Sequence, residues 1–429
     1  MGDPFLIDGA VDFGDLILAV VKAVIAFVVL LVSVMLMVWF ERKVVSRLQN
    51  RIGPNIAGPF GLLQTLADGT KLFFKEDIIP TRADRFVFQL APYLSLVPAF
   101  LTFAIIPVAG DFSDGRNGSV TIFGRETFVQ VADLPVGILF FLAMSSLAVY
   151  GIMLAGWSSG SKYPLLGSVR ASAQAISYEA ALGLSLASVL LVSGTLSTNG
   201  IVQVQAGEGF GGIIPNWNLV VTGFVPFVVF LIAGTAELNR PPFDLVEAEQ
   251  ELVGGFHTEY SSIRFALFFL AEFMNTVTMG ALIVTLFFGG PAGPNLAILP
   301  GWLWGFVWFF LKLIVFLFIF VWFRATLPRL RYDQLMDLGW KLLIPVSLGW
   351  LLMLAGIRLA RTGTIDVLDG TVANVALVLA VGVVILTVCT TLLTMAMRAA
   401  RNERLEASGL RSVPIEPTSP AQLTPVGED

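Results

Sequence analysis

Five carboxylates fall within ELNRPPFDLVEAEQEL at 237–252: Glu237, Asp244, Glu247, Glu249 and Glu251. Long apolar runs flank the stretch, LVVTGFVPFVVFLIAGTA before it and FALFFLAEFMNTVTMGALIVTLFF soon after. Glu247, Glu249 and Glu251 alternate, and Glu247 and Glu251 would share one face of a helix. Like charges held close raise one another's proton affinity, so such a cluster can bind or pass protons near neutral pH. A solvated acidic loop is the plainer reading. It gives no purpose to the rigid RPPFD just before the cluster or to the aromatic GFHTEY after it.

Other ionisable groups lie near or inside apolar runs. Glu259 follows the acidic stretch, Glu179 is about five residues inside its run, and Glu272 about nine, or ~14 Å at 1.5 Å per residue. Lys312 lies near the middle of a later run and Arg324 at its end. A charge at such depth costs a few kcal/mol and normally faces a partner or a wet cavity. Arg324 and Lys312 are the candidate cation partners. A structural pair of Glu272 with Lys312, a proton path and local hydration all remain open. Lys22, nearer the end of the first run, is expected to snorkel.

The residue inventory excludes several chemistries. With one cysteine, Cys389, the chain holds no internal disulfide and no four-thiolate iron–sulfur cluster of its own. With one histidine, His257, and no Cys/His grouping, a zinc site is not expected. Both residues read most simply as a core thiol and a loop imidazole.

The elements that position these acids follow from composition. The 429 residues are 56% hydrophobic and 13% charged, about half the charge of a soluble domain. Runs of about 20 apolar residues demand lipid as solvent. The fold class is an all-α polytopic membrane protein, with nine spans near 16–40, 86–109, 134–156, 174–194, 219–236, 263–288, 302–324, 340–357 and 372–397. Asp3, Asp8, Asp12 and Asp15 precede the first run without any basic residue, so it is expected to be retained rather than cleaved. Of the 26 Lys and Arg, twenty fall in alternate connections and the tail, against four at the opposite ends: Arg116, Arg125, Arg358 and Arg361. The positive-inside rule therefore predicts an outer N-terminus and a cytoplasmic C-terminus. The Pro-rich tail after 397 is expected to be partly disordered.

One segment, GPFGLLQTLADGTKLFFK at 58–75, is too short and polar to span. Gln64, Asp68, Lys71 and Lys75 share one helical face, with Leu63, Leu66, Ala67, Thr70 and Phe74 over much of the other. It is predicted to lie in the membrane interface, either as an anchor or as a doorway for an apolar molecule.

Four ordered motifs carry a resemblance. ERKVVSRLQNRIGPNIAGPFGLLQTLADGTKLFFKED, GWSSGSKYPLLGSVRASAQAISYE, AELNRPPFDLVEAEQELVGGFHTEYSSIRF and RATLPRLRYDQLM closely resemble the quinone-site membrane-subunit family of respiratory complex I. That family comprises the quinone-site membrane chain of bacterial NADH–quinone oxidoreductases and the first mitochondrially encoded NADH dehydrogenase chain. The resemblance covers about 16–357 and implies an eight-helix core at the heel of a membrane arm. It implies quinone as substrate, partners in the membrane and hydrophilic arms, and no metal, flavin or cluster bound by this chain. Glu41, Arg42, Asp68, Lys71 and Phe243 would line the quinone tunnel or its entrance. Glu237, Asp244, Glu247, Glu249 and Glu251 would form a proton-linked funnel beneath the head group, with Glu259, Glu179 and Glu272 leading into the membrane. Ile56 departs from the pattern, which would carry a basic residue there. The span at 358–397 and the tail at 398–429 lie beyond the common core.

The resemblance thus implies a subunit of a redox-driven proton pump. A ferredoxin- or hydrogenase-linked relative would share these motifs. A stand-alone cation transporter would be expected to show internal repeats, and none is visible. A pure scaffold gains nothing from intramembrane glutamates, and no nucleic-acid partner is expected. Nineteen Arg against seven Lys suggest a GC-rich bacterial source, hence the plasma membrane.

Overall fold

Lipid offers no hydrogen-bond partner to a backbone N–H or C=O, so each apolar run must close its own bonds as helix. The computed structural model describes residues 13–112, 116–122, 124–207, 216–245, 252–294 and 300–361, with single positions at 380, 382, 387, 391 and 395. Among the described residues, seven helices are long and apolar enough to cross a membrane. They are α1 (Phe13–Leu48), α3 (Arg85–Phe103), α4 (Gly137–Ser158), α5 (Lys162–Ser193), α9 (Ser262–Phe287), α10 (Gly301–Thr326) and a last helix running Tyr332–Arg361. That last helix comprises α11 (Tyr332–Asp337), a π-helical turn at Leu338–Leu343 and α12 (Ile344–Arg361). Shorter helices are α2 (Gln64–Phe74), α6 (Thr198–Gln205), α7 (Asn218–Val221) and the apolar α8 (Phe224–Glu237). The ninth expected span lies outside the described residues apart from the isolated positions.

The all-α membrane class is as the hydropathy pattern predicts, but several helices overrun their apolar runs. Helix α5 begins at Lys162, twelve residues before the expected span at 174. Its first turns carry Ser168, Ser172 and Gln174, which lower hydropathy yet are buried against neighbours. Their polar atoms are served locally: the Ser172 hydroxyl donates to the Ser168 carbonyl at 2.9 Å. Helix α1 likewise runs on to Leu48 through Glu41, Arg42 and Lys43.

Helix α9 is the most enclosed of the long helices and packs against α1, α3 and α10. Around it, α4 lies between α3 and α5, and α5 contacts α8 and α12. The α3–α4 approach is close because Gly151 faces Ser95: a Cβ at that glycine would lie 2.8 Å from the Ser95 backbone nitrogen. One two-stranded antiparallel hairpin, β1 (Ser119–Ile122) and β2 (Arg125–Phe128), closes one end of the bundle. It ties to α1 through an Arg125–Asp15 ion pair and a 2.9 Å bond from Lys22 Nζ to Thr127 Oγ1.

At the same end, Lys312 of α10 donates three bonds to the carbonyls of Phe288, Gly290 and Ala292, at 2.8, 2.9 and 2.8 Å. These belong to the chain leaving α9, whose last carbonyls lack intrahelical partners. The ammonium therefore caps a helix. The Glu272–Lys312 pair, one of the alternatives open from the sequence, is not formed: sixteen residues of α9 separate Glu272 from Phe288, ~24 Å at 1.5 Å per residue.

Candidate functional site

Helix α8 has 14 residues, ~21 Å at 1.5 Å per residue, against a hydrocarbon core of ~30 Å. Its end at Glu237 thus falls at membrane depth, and the chain after it must be shielded. Leu238, Arg240, Phe243, Asp244 and Leu245 are all buried. Non-helical backbone is tolerated at such depth only inside protein or along a cavity. Gln174 of α5 reaches in to serve it, donating to the Ala236 carbonyl at 2.7 Å and the Phe243 carbonyl at 3.0 Å. The Leu330 amide donates to the Pro242 carbonyl at 3.0 Å.

This buried turn carries Arg240 into an ion network. Arg240 Nη1 donates to Glu41 Oε2 at 2.7 Å, and its Nε lies 3.3 Å from Glu272 Oε1. Arg324 of α10 pairs with the other Glu41 oxygen. Glu41 and Arg240 are almost fully enclosed, at 7% and 3% side-chain exposure, whereas Arg324 is 44% exposed. The Arg240 guanidinium also stacks 4.4 Å from the Phe273 ring centre. Four elements, α1, the 238–245 turn, α9 and α10, thus meet through two arginines and two glutamates. Asp244 sits at the rim, 3.3 Å from Arg329.

Two small cavities, of about 70 and 60 Å³, continue inward from Glu272. Glu237, Leu238, Asn239, Ala148, Ile152 and Asn275 line both. Ser95 Oγ, Glu237 Oε2, Asn239 Oδ1 and Thr278 Oγ1 are buried on their walls without a hydrogen-bond partner in the protein. A polar cavity of this size has room for several waters, which would supply those partners. The other Glu237 oxygen accepts from Ser145 Oγ. The next residue on α4, Ser146, donates to Glu179. Glu41, Glu272, Glu237 and Glu179 thereby form a string whose gaps are an arginine, a water-sized space and two adjacent serines.

Next to Glu41 in the chain, Arg42 Nη1 bonds Asp68 Oδ2 of α2 at 2.6 Å. No residue of α2 is buried. Leu63, Leu66, Ala67, Thr70, Lys71 and Phe74 line a shallow open groove of about 500 Å³ on this helix, and Ile56 just before it is fully exposed. The loop at 252–261 is pinned by Tyr260, whose ring stacks 4.0 Å from Phe88 and whose hydroxyl donates to the Phe88 carbonyl at 3.2 Å. Burial pushes the Tyr260 phenol up to about 12, so it stays a donor at any physiological pH.

A sequence pattern of the family described as NADH dehydrogenase matches residues 21–355, the span that holds every group just described. The chain belongs to that family. The H subunit of the NADH-quinone oxidoreductase of Frankia alni is 53% identical over 360 residues, covering 82% of this chain and 76% of the relative. The protein of the same name from Frankia casuarinae is 54% identical over 80% of this chain and 73% of its own length. That from Streptomyces avermitilis is 48% identical over 86% and 78%.

Among the site residues named from the sequence of this family member, Glu41, Glu272, Glu237 and Glu179 come together, with Arg324 as a cation partner. Arg42 and Asp68 meet each other. Lys71 is exposed and Glu259 half-buried. Phe243 is buried against Tyr178, ring centres 5.6 Å apart. Lys312 belongs to the opposite end. Glu247, Glu249 and Glu251 lie outside the described residues. Glu179, read as near the end of its helix, is seventeen residues into α5, because α5 starts at Lys162.

Sequence reasoning missed Arg240, the one base inside the acidic stretch. Its signal was its position before Pro-Pro, where a rigid break fixes a side chain. It also missed Ser145 and Ser146, which nothing distinguishes from other small residues in an apolar run.

Proposed function

We propose that this chain is the membrane subunit of a proton-pumping NADH–quinone oxidoreductase that bounds the quinone channel and links quinone reduction to proton movement. The observation that carries the reading is the string from Glu41 through Arg240 and Glu272 to Glu237 and Glu179. It joins the ends of α1 and α10, beside the α2 groove, to a buried interior by groups that hold or hand on charge. The names of its relatives favour NADH as donor and quinone as acceptor.

On this reading the exposed apolar face of α2 receives the isoprenoid tail as quinone leaves lipid, and the Arg42–Asp68 pair holds that helix against α1. The head group lies above the Glu41–Arg240 pair. Hydride and electron chemistry belong to other subunits, and this chain binds no metal, flavin or cluster. Reduction draws protons toward the acidic loop, and the change in charge reaches Glu272 and Glu237 through Arg240 and the hydrated cavities. The distribution of Lys and Arg puts this end of the bundle in the cytoplasm of a bacterial cell and the hairpin end outside. On the cytoplasmic side the loops at 49–84 and 238–261 meet the hydrophilic arm, with quinone and lipid at the α2 side and other membrane subunits along the arm.

The test uses the purified assembly in liposomes carrying Glu237→Gln or Glu272→Gln. Quinone-dependent NADH oxidation and proton uptake should fall together by about tenfold or more, the scale of a lost proton-transfer group. NADH oxidation with an artificial acceptor should stay unchanged. Wild-type coupling in both variants would refute the reading.

A further inference from the structure

At the hairpin end a cavity of about 190 Å³ lies between the first half of α1, the chain after α3, β2 and the start of α10. Its wall is apolar, with Ile25, Val29, Ile106, Phe128 and Phe306 among its residues. Two polar side chains join them, Lys22 and Gln130. Gln130 is 5% exposed, and both its Oε1 and its Nε2 are buried without a hydrogen-bond partner. A buried amide left without partners carries the full cost of its lost hydration, so this side chain calls for an occupant.

The shape of the wall decides what kind. Water alone suits a polar cavity, while apolar cavities of about 150 Å³ stay dry and take small hydrocarbons. This one is apolar over most of its surface and offers an amide at one place. An occupant must therefore be amphiphilic, with a hydrocarbon segment for the wall and one polar group for Gln130. Ile25 and Phe306 line the cavity and are also exposed on the outside, at 56% and 43%. The cavity thus reaches the membrane-facing surface between α1 and α10, where a chain can enter from the bilayer. Lys22, whose ammonium donates to Thr127 on the hairpin, places a cation on the same wall and favours a phosphate-bearing head group.

We infer that this cavity is a binding site for a structural phospholipid, one acyl chain lying between α1 and α10 and its ester or head group bonded to Gln130. The lipid closes the seam between α1 and α10 at the end of the bundle remote from the ion network. This assignment is independent of the catalytic reading.

The test is photolabelling of the purified whole assembly after reconstitution with phosphatidylglycerol that carries a mid-chain diazirine. Detergent extraction before illumination dilutes freely exchanging lipid. Adducts are expected on the peptides holding Ile25–Val29 or Phe128–Val131. They should fall about fivefold in Gln130→Leu, the equivalent of one hydrogen bond. They should fall about tenfold or more in Ala26→Phe, which fills the cavity as a core void is filled. Adducts at Leu311–Phe318, on the open face of α10, should not change. Equal labelling in the variants, or labelling confined to Leu311–Phe318 in the unaltered chain, would overturn the assignment and leave the seam to a neighbouring subunit. If Ala26→Phe fails to assemble, the near-isosteric Gln130→Leu decides the matter by itself.

Discussion

Arg240→Met removes the cation at the centre of the ion network while keeping most of the side-chain volume. Its guanidinium is 3% exposed and lies 2.7 Å from a glutamate that is 7% exposed. Deleting one member of a buried pair costs about 3–5 kcal/mol, because the other charge stays behind in a poor solvent. Arg324 still holds Glu41, so the low end applies, and lost stacking on Phe273 adds ~1 kcal/mol. Together that makes about 4 kcal/mol. The contact to Glu272, which is 25% exposed, is screened by solvent and adds little. In the purified assembly the rate of heat inactivation should rise by at least about a hundredfold, since each 1.4 kcal/mol is a factor of ten. The second arm is Glu41→Gln with Arg240→Met. Neutralising both partners removes the stranded charge, so the double variant should be more stable than the sum of its parts by about 2 kcal/mol, within the range for coupled contacts. Strict additivity within ~0.5 kcal/mol, or an Arg240→Met assembly as durable as wild type, would refute the buried-pair account.

Ser145→Ala with Ser146→Ala takes the hydroxyl donors from Glu237 and Glu179 and should lower coupled proton uptake by about tenfold, measured in liposomes, with little loss of folding. The exposed Arg42–Asp68 pair should add under ~1 kcal/mol to stability. Arg42→Asp should therefore raise the KM for quinone without unfolding the chain, and Arg42→Asp with Asp68→Arg should restore it. Gly151→Ala forces α3 and α4 apart and should destabilise by about 1–3 kcal/mol, read as reduced recovery of the assembly at elevated temperature. Replacing Glu247, Glu249 and Glu251 together by Gln should reduce quinone-dependent turnover but spare electron delivery to an artificial acceptor. Equal loss of both activities would mean failed assembly instead.

The helices were legible because lipid leaves the backbone one way to satisfy itself, and hydropathy reads that directly. Their ends were not. Lys162–Ala173 is helical although Lys162 and Arg170 hold its hydropathy near neutral, and Ser168 and Ser172 bond their hydroxyls to their own helix backbone, a device invisible to a hydropathy window. The hairpin at 119–128 carries no comparable signal, because two four-residue strands give too short an alternation. Of the ionisable groups, depth in an apolar run identified Glu272 and Lys312 equally well, but depth carries no rotational or axial information. One faces an arginine near the acidic loop and the other caps a helix some 24 Å along. Pairing is a property of which elements pack together, and α9 meets Arg240 only because α8 is short.

That shortness also explains the composition of the acidic stretch. A helix long enough to reach water could end in a flexible polar loop. One that stops after 14 residues must carry its turn inside the bundle, where every carbonyl and every charge needs a partner. Pro241 and Pro242 remove two N–H donors that would otherwise need acceptors there. Gln174 supplies donors to the carbonyls on either side. Arg240 then brings the only strong cation of the turn to acids on α1 and α9, and Glu237 is left facing water-sized cavities. The apolar Leu238, Phe243 and Leu245 fill the remaining space. A solvated acidic loop would require none of these compensations. Lengthening α8 by one helical turn, with four alanines inserted after Thr235, tests this directly. The insertion moves Arg240 by ~6 Å, out of reach of Glu41 and Glu272, and should abolish quinone-dependent turnover even if the chain still enters the assembly. Retained turnover would mean that the depth of the turn is incidental.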